Sequence, residues 1–136
     1  MIELGDEKVL YAFDKELEPA LVVPSGTTVR VRTKDCFGNQ VQRPEDELDE
    51  IDWDHINPAT GPIFVEGAVP GGALKVTIEA IEFDGQTASC TGEGEGVCGD
   101  RFDAWSTHLC KIDGDELVWD EELRIPLRPM IGVIGV

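Results

Sequence analysis

Alternation of apolar and polar side chains is the dominant pattern of this chain, and it predicts β-strands wherever a period can be read. Over Thr27 to Thr33, Val29 and Val31 fall on one face and Arg30 and Arg32 on the other, after a Pro24-Ser25-Gly26 turn. The clearest alternation runs from Leu74 to Ile81. Leu74, Val76, Ile78 and Ala80 share one face and Lys75, Thr77 and Glu79 the other, after Pro70-Gly71-Gly72. Short strands fit Ile63 to Glu66, Gln86 to Cys90 and Glu116 to Trp119. Asp84-Gly85 and Asp113-Gly114 are hairpin-type dipeptides, because a type I′ turn needs positive φ at both central residues. The one helical signal is Pro44 to Ile51, where a proline suits a first turn and the acids that follow suit the positive end of a helix dipole. The pattern predicts a mainly β fold with little helix, as a sandwich, a jelly roll or a partly open barrel.

The length of 136 residues predicts a single domain, 1–136, with a core of its own. Charge then defines its surface. Asp and Glu total 28 against 11 Lys and Arg, a formal net charge of -17. Nucleic acid is excluded as a partner, since phosphate binding needs clustered Lys and Arg to release counterions. The same field repels an anionic membrane leaflet. A hydrophobic share of 41% argues against disorder, which requires low hydrophobicity as well as high charge. Many carboxylates with few lysines resemble the halophilic surface of a protein from a high-salt cytoplasm, where salt screens self-repulsion; an acidic mesophile protein is the alternative. No apolar run approaches the ~18 residues of a membrane span, and Met-Ile-Glu-Leu-Gly-Asp-Glu lacks the regions of a signal peptide. These features predict a cytoplasmic protein, in which Cys36, Cys90, Cys98 and Cys110 stay as buried structural thiols.

Three segments are compositionally biased. Pro44 to Asp54 carries acids at Glu45, Asp46, Glu47, Asp49, Glu50, Asp52 and Asp54, without the central glycine of an EF-hand loop, and reads as a solvated acidic loop. Thr91 to Gly99 has glycine at alternate positions, yet no Gly-Lys-Ser/Thr follows and Glu93 and Glu95 repel phosphate. A mobile loop or a close backbone approach is the better reading. Ile125 to Val136 is apolar up to its last residue, so a covering element is expected over it.

Few residues carry chemistry. His55 and His108 are too few for a three-histidine zinc site, and each reads first as structural or exposed. Asp35 follows the Thr27 to Thr33 strand and precedes Cys36-Phe37-Gly38-Asn39-Gln40; it is placed either to bind a metal or substrate or to cap the turn. Cys36 is a conceivable nucleophile without an identifiable activating base. The densest segment is Asp54 to Gly72, where Pro58, Gly61, Pro62 and Gly67 rigidify turns around a short strand and hold Asn57, Thr60 and Glu66. Fixed backbone around a few polar groups is what a preorganised site needs. Its bland counterpart is a tight connection between sheets with Glu66 exposed.

Asn57-Pro-Ala-Thr-Gly-Pro-Ile-Phe-Val-Glu-Gly-Ala-Val-Pro-Gly resembles the signature Asn-Pro-x-Thr-Gly-Pro, Val-Glu-Gly-Ala-x-Pro-Gly of the acetamidase/formamidase family. Asp35-Cys-Phe-Gly-Asn-Gln, Gly99-Asp-Arg-Phe and Pro126-Leu-Arg-Pro-Met-Ile-Gly-Val-Ile-Gly-Val agree with it in order. The resemblance implies a β-rich hydrolase that converts short linear amides to ammonia and carboxylate, associated with a divalent metal, zinc or calcium. It implies Asp35 and Glu66 as catalytic carboxylates, Asn57, Thr60 and Gly61 as substrate-binding positions, and Asp35, Glu66 and His55 as metal ligands. Gly72 departs from the aspartate common after Pro-Gly. Family chains are much longer, so this chain corresponds to an N-terminal half. A C-terminal half or companion chain and a homo- or hetero-oligomer are the expected partners, and a non-catalytic ligand-binding or oligomerisation β-domain is the alternative.

Overall fold

The structure, a computed structural model, describes residues 1–83 and 85–136. It is mainly β: among the described residues ten strands form open sheets, and the only helical pieces are the 3₁₀ turns Trp53–His55 and Gly99–Arg101. No helix of the described residues is long and apolar enough to cross a membrane. The chain groups into two compact units, one of residues 1–38, 53–79 and 131–136, the other of residues 39–52 and 80–130.

The second unit is built on one antiparallel sheet. Its strands are β7 (Gln86–Thr91), β8 (Ser106–Asp113), β9 (Glu116–Val118) and β10 (Arg124–Pro126), in the order β10-β9-β8-β7. Adjacent strands in this order are antiparallel, so short turns suffice and the backbone donors are met locally. The Asp113-Gly114 hairpin forms with its loop one residue further on than the dipeptide predicts. Asp113 pairs with Glu116, leaving Gly114 and Asp115 as the loop, and Gly114 takes φ 59°. Glycine first in a two-residue loop suits a type II′ turn rather than I′. The Asp84-Gly85 hairpin falls on Asp84, outside the described residues.

Buried Cys110 sits in β8, with Val41 and Leu48 the other buried apolar side chains of this unit. Burial pushes the Cys110 thiol up from its ordinary value. Cys90 is half-buried, but Cys36 and Cys98 are exposed, which corrects the expectation that all four thiols are buried. Both exposed cysteines lie in irregular chain beside glycines, where no sheet face covers them.

Pro44 to Ile51 forms turns, not a helix. The Asp46 carboxylate accepts the backbone N–H groups of Gln42 and Arg43 at 2.8 and 2.9 Å and pairs with the Arg43 guanidinium at 2.8 Å. Such local capture competes with helical bonding. The Gln42 amide first, then the Arg43 guanidinium, hold the Asp46 carboxyl below its usual range. The loop is further fixed by Thr107, whose hydroxyl donates to the Asp46 carbonyl at 2.8 Å, and by buried Leu48.

Glycine has a clear use in Thr91 to Gly99. A side chain at Gly92 would strike the Trp105 ring, and one at Gly99 would come within 2.5 Å of the Gly94 backbone. This is the close backbone approach anticipated from composition.

The first unit contains three separate two-stranded ladders. β1 (Ile2–Leu4) runs parallel to β4 (Val29–Val31), β3 (Leu21–Pro24) runs parallel to β6 (Ile63–Glu66), and β2 (Val9–Leu10) is antiparallel to β5 (Ala59–Thr60). Among its described residues Val23 and Pro58 are the buried apolar side chains. The Leu74 to Ile81 alternation is present without the strand it predicts: no residue from Leu74 to Ile81 joins a sheet. The pattern specifies which side chains need cover, but a strand also needs a neighbour for its backbone, and among the described residues none pairs with this stretch.

Candidate functional site

The site is best built outward from the turn that follows β4. The Asp35 carboxylate accepts the Phe37 amide at 3.0 Å, and the Gly38 amide donates to the Asp35 carbonyl at 3.0 Å. Asp35 thus caps its own turn, as aspartate at the first turn position commonly does. Gly38 and Asn39 leave the turn in left-handed backbone, φ 67° and 63°.

The Asn57 segment is tied to this turn. The Asn57 amide donates to the Cys36 carbonyl at 2.7 Å, and Asn57 itself is left-handed at φ 52°, a conformation asparagine tolerates. Three residues on, the Thr60 hydroxyl donates to the Arg32 carbonyl at 2.8 Å, and the Gly61 amide to the Lys8 carbonyl at 3.2 Å. Gly61 is buried at φ 146°, close to the Ile63 amide, and its bond to Pro62 is cis. The structure therefore brings Asp35, Asn57, Thr60 and Gly61 to neighbouring stretches of backbone around the end of β4. The ties run through Lys8, Arg32 and Cys36 carbonyls, which no side-chain motif signals.

Glu66 is placed differently. It is the last residue of β6, and the strand's own length carries it roughly 10 Å beyond Ile63. Register pairs Pro24 with Glu66 and Val22 with Phe64, so these four side chains share one face of the ladder. That face is open, with Val22 53% and Phe64 49% exposed, while Val23 on the opposite face is buried. Gly67 then turns the chain at φ 82°, and the Ala68 amide closes the turn onto the Val65 carbonyl at 3.1 Å.

His55, in the 3₁₀ turn Trp53–His55, meets the Tyr11 ring edge-on with centroids 4.8 Å apart. His108 belongs to the other unit, where its Nε2 bonds the Trp119 carbonyl at 2.7 Å and its ring lies 4.4 Å from the Trp119 ring, a structural role. Among the described residues no three His, Cys, Asp or Glu side chains converge to hold a metal ion. A divalent ion bound by this chain's residues alone does not fit that donor set.

Fold and site together define a class: a β-rich module whose rigid Asn-Pro to Gly-Pro corner leads into a strand ending in a carboxylate on an uncovered apolar face. The Acetamidase/Formamidase family model matches residues 4–136. The chain belongs to that family. The crystal structure of an acetamidase from Bacillus halodurans is similar at 39% identity and a TM-score of 0.84, covering 98% of this chain and 45% of its own. A recombinant predicted acetamidase/formamidase from the thermophile Thermoanaerobacter tengcongensis is similar at 46% identity and a TM-score of 0.92, covering 99% of this chain and 45% of its own. An acetamidase from Yersinia enterocolitica, at 17% identity and a TM-score of 0.64, shares the fold. Comparison with curated proteins gives no match. The chain spans less than half the length of these solved structures.

Proposed function

We propose that this chain contributes one part of an amide hydrolase, whose site forms when the open face carrying Glu66 is covered by the polypeptide that the longer relatives have in addition. The substrate is a short linear amide such as formamide or acetamide, and water converts it to ammonia and the carboxylic acid. The observation that carries the reading is Glu66 at the end of β6, beside exposed Phe64 and Val22, in a chain of this family.

Covering that face would exclude water around the carboxylate. Glu66 then takes a proton from the water that attacks the amide carbon and returns it to the departing nitrogen. Asn57, Thr60 and Gly61, fixed by their backbone ties, shape the pocket for the small acyl group, and Asp35 holds the adjoining turn. A zinc or calcium ion would draw ligands from the covering polypeptide beyond any that Asp35, Glu66 or His55 gives, and would polarise the amide carbonyl.

The test is ammonia release from acetamide and formamide by the completed assembly. Glu66→Gln is expected to lower the rate roughly 10²–10⁴-fold with little change in KM, the range of an acid-base group. An unchanged rate would remove Glu66 from the chemistry.

A further inference from the structure

Leu74–Glu79 combines two properties that rarely coexist in a finished fold. Its side chains alternate as a half-buried strand demands, yet Leu74, Val76 and Ile78 are 47%, 63% and 51% exposed. Its backbone pairs with no strand among the described residues. An apolar, unpaired stretch with the alternation of a strand is a template for another strand, and proteins normally cover or charge such an edge.

Resting on the reading of this chain as one part of an amidase, we propose that Leu74–Glu79 is a docking edge. A β-strand of the complementary polypeptide joins it, bonding its backbone and covering Leu74, Val76 and Ile78. The occupant is the polypeptide equivalent to the portion of the solved relatives that the match leaves uncovered. Two observations favour it. The Thermoanaerobacter tengcongensis and Bacillus halodurans structures contain counterparts to 99% and 98% of this chain, and more than half of each relative remains to supply the cover. A second copy of this chain is opposed by charge, since each copy carries -17 and like fields repel on approach. The recognition is β-augmentation: main-chain hydrogen bonds give affinity, and alternate side chains select the register.

The experiment mixes this chain with a separate polypeptide comprising the uncovered portion of the Thermoanaerobacter tengcongensis protein. Binding is followed by sedimentation, and amide hydrogen exchange is read by mass spectrometry. Exchange at residues 75–79 is expected to slow roughly tenfold or more in the complex. The double variant Val76→Asp, Ile78→Asp should weaken binding roughly tenfold or more. Exchange of β7 and β8 in that variant should stay as in the parent, which shows it folded.

Binding with no added protection at 75–79 overturns the docking edge and leaves the amidase reading standing. Failure to bind also overturns the docking edge. Protection that rises with the concentration of this chain alone, together with a dimer's mass, overturns it in favour of a second copy. Protection without ammonia release supports the edge and removes the amidase reading instead.

Discussion

Residues 80–130 place their four strands in one antiparallel sheet, whereas residues 1–38 and 53–79 divide six among three separate ladders, two of them parallel. The difference is one of strand pairing. An antiparallel meander satisfies neighbouring backbone groups through short turns and tolerates water on one face. Parallel strands occur almost always in sheets with both faces covered, and an isolated two-stranded pair is marginal in water. One unit buries Cys110, Val41 and Leu48 and leaves Phe83, Val97, Phe102, Leu123, Ile125 and Met130 exposed; the other buries Val23 and Pro58 and leaves more exposed, Val22, Phe64, Leu74, Val76 and Ile78 among them. The unit with the second pattern is the one that carries Asp35, Asn57, Thr60, Gly61 and Glu66.

The comparison is broken most easily at its cores. Leu48→Ala in the antiparallel unit is expected to lower stability by about 2–5 kcal/mol in urea unfolding, the cost of emptying a buried leucine site. Val76→Ala in the open unit should change it by less than about 0.5 kcal/mol, as an exposed site does. Similar losses at the two sites would mean that Leu74–Glu79 is already packed and the contrast is false.

A smaller effect tests what holds the open unit together. Thr60→Val keeps the side chain's shape and deletes the bond to the Arg32 carbonyl. It should cost about 0.5–1 kcal/mol in the same unfolding measurement. No loss would show that the backbone ties around β4 are incidental.

The smallest effect is read against pH. The Asp46 carboxyl, held low first by the Gln42 amide and then by Arg43, stabilises the folded chain above the ordinary carboxylate value near pH ~4. Its contribution is lost as pH falls through the lower folded value. The stability difference between the parent and Asp46→Asn should therefore narrow on acidification below pH ~4. A gap that stays constant would deny the acidic loop this structural carboxylate.

The sequence made some of this legible and not the rest. Ile63–Glu66 is a short apolar run bounded by the turn signals Pro62 and Gly67, and it forms a strand with those bounds. Its partner Leu21–Pro24 likewise shows no period of two, and its proline argues against a strand interior. β8, the longest strand, has no alternation to read, since Thr107, His108, Leu109 and Cys110 are all at least half-buried. Leu74 to Ile81 erred the other way, since its strong pattern expresses a need for cover and the ladder depends on a neighbour. Pro44 to Ile51 had helix-start chemistry, but a carboxylate that reaches back to two amides overrode it.

At the site, the Asn57 to Gly67 motif announced a rigid corner, and the resemblance named its residues. That Asp35 caps its own turn was legible as one of two readings. An exposed Glu66 was likewise one of two readings; that it shares its face with Val22 and Phe64 was not legible, because this depends on the parallel register of β3 with β6.

The central claim is that this chain carries part of an amidase site on a surface awaiting cover. Ammonia release from acetamide and formamide, measured for the chain by itself and for the chain joined by the uncovered portion of the Thermoanaerobacter tengcongensis protein, tests it most directly. The account predicts negligible release by the chain by itself and sustained release by the pair, with Glu66→Gln suppressing it. A stable pair that releases no ammonia, or full activity from the chain by itself, would contradict it.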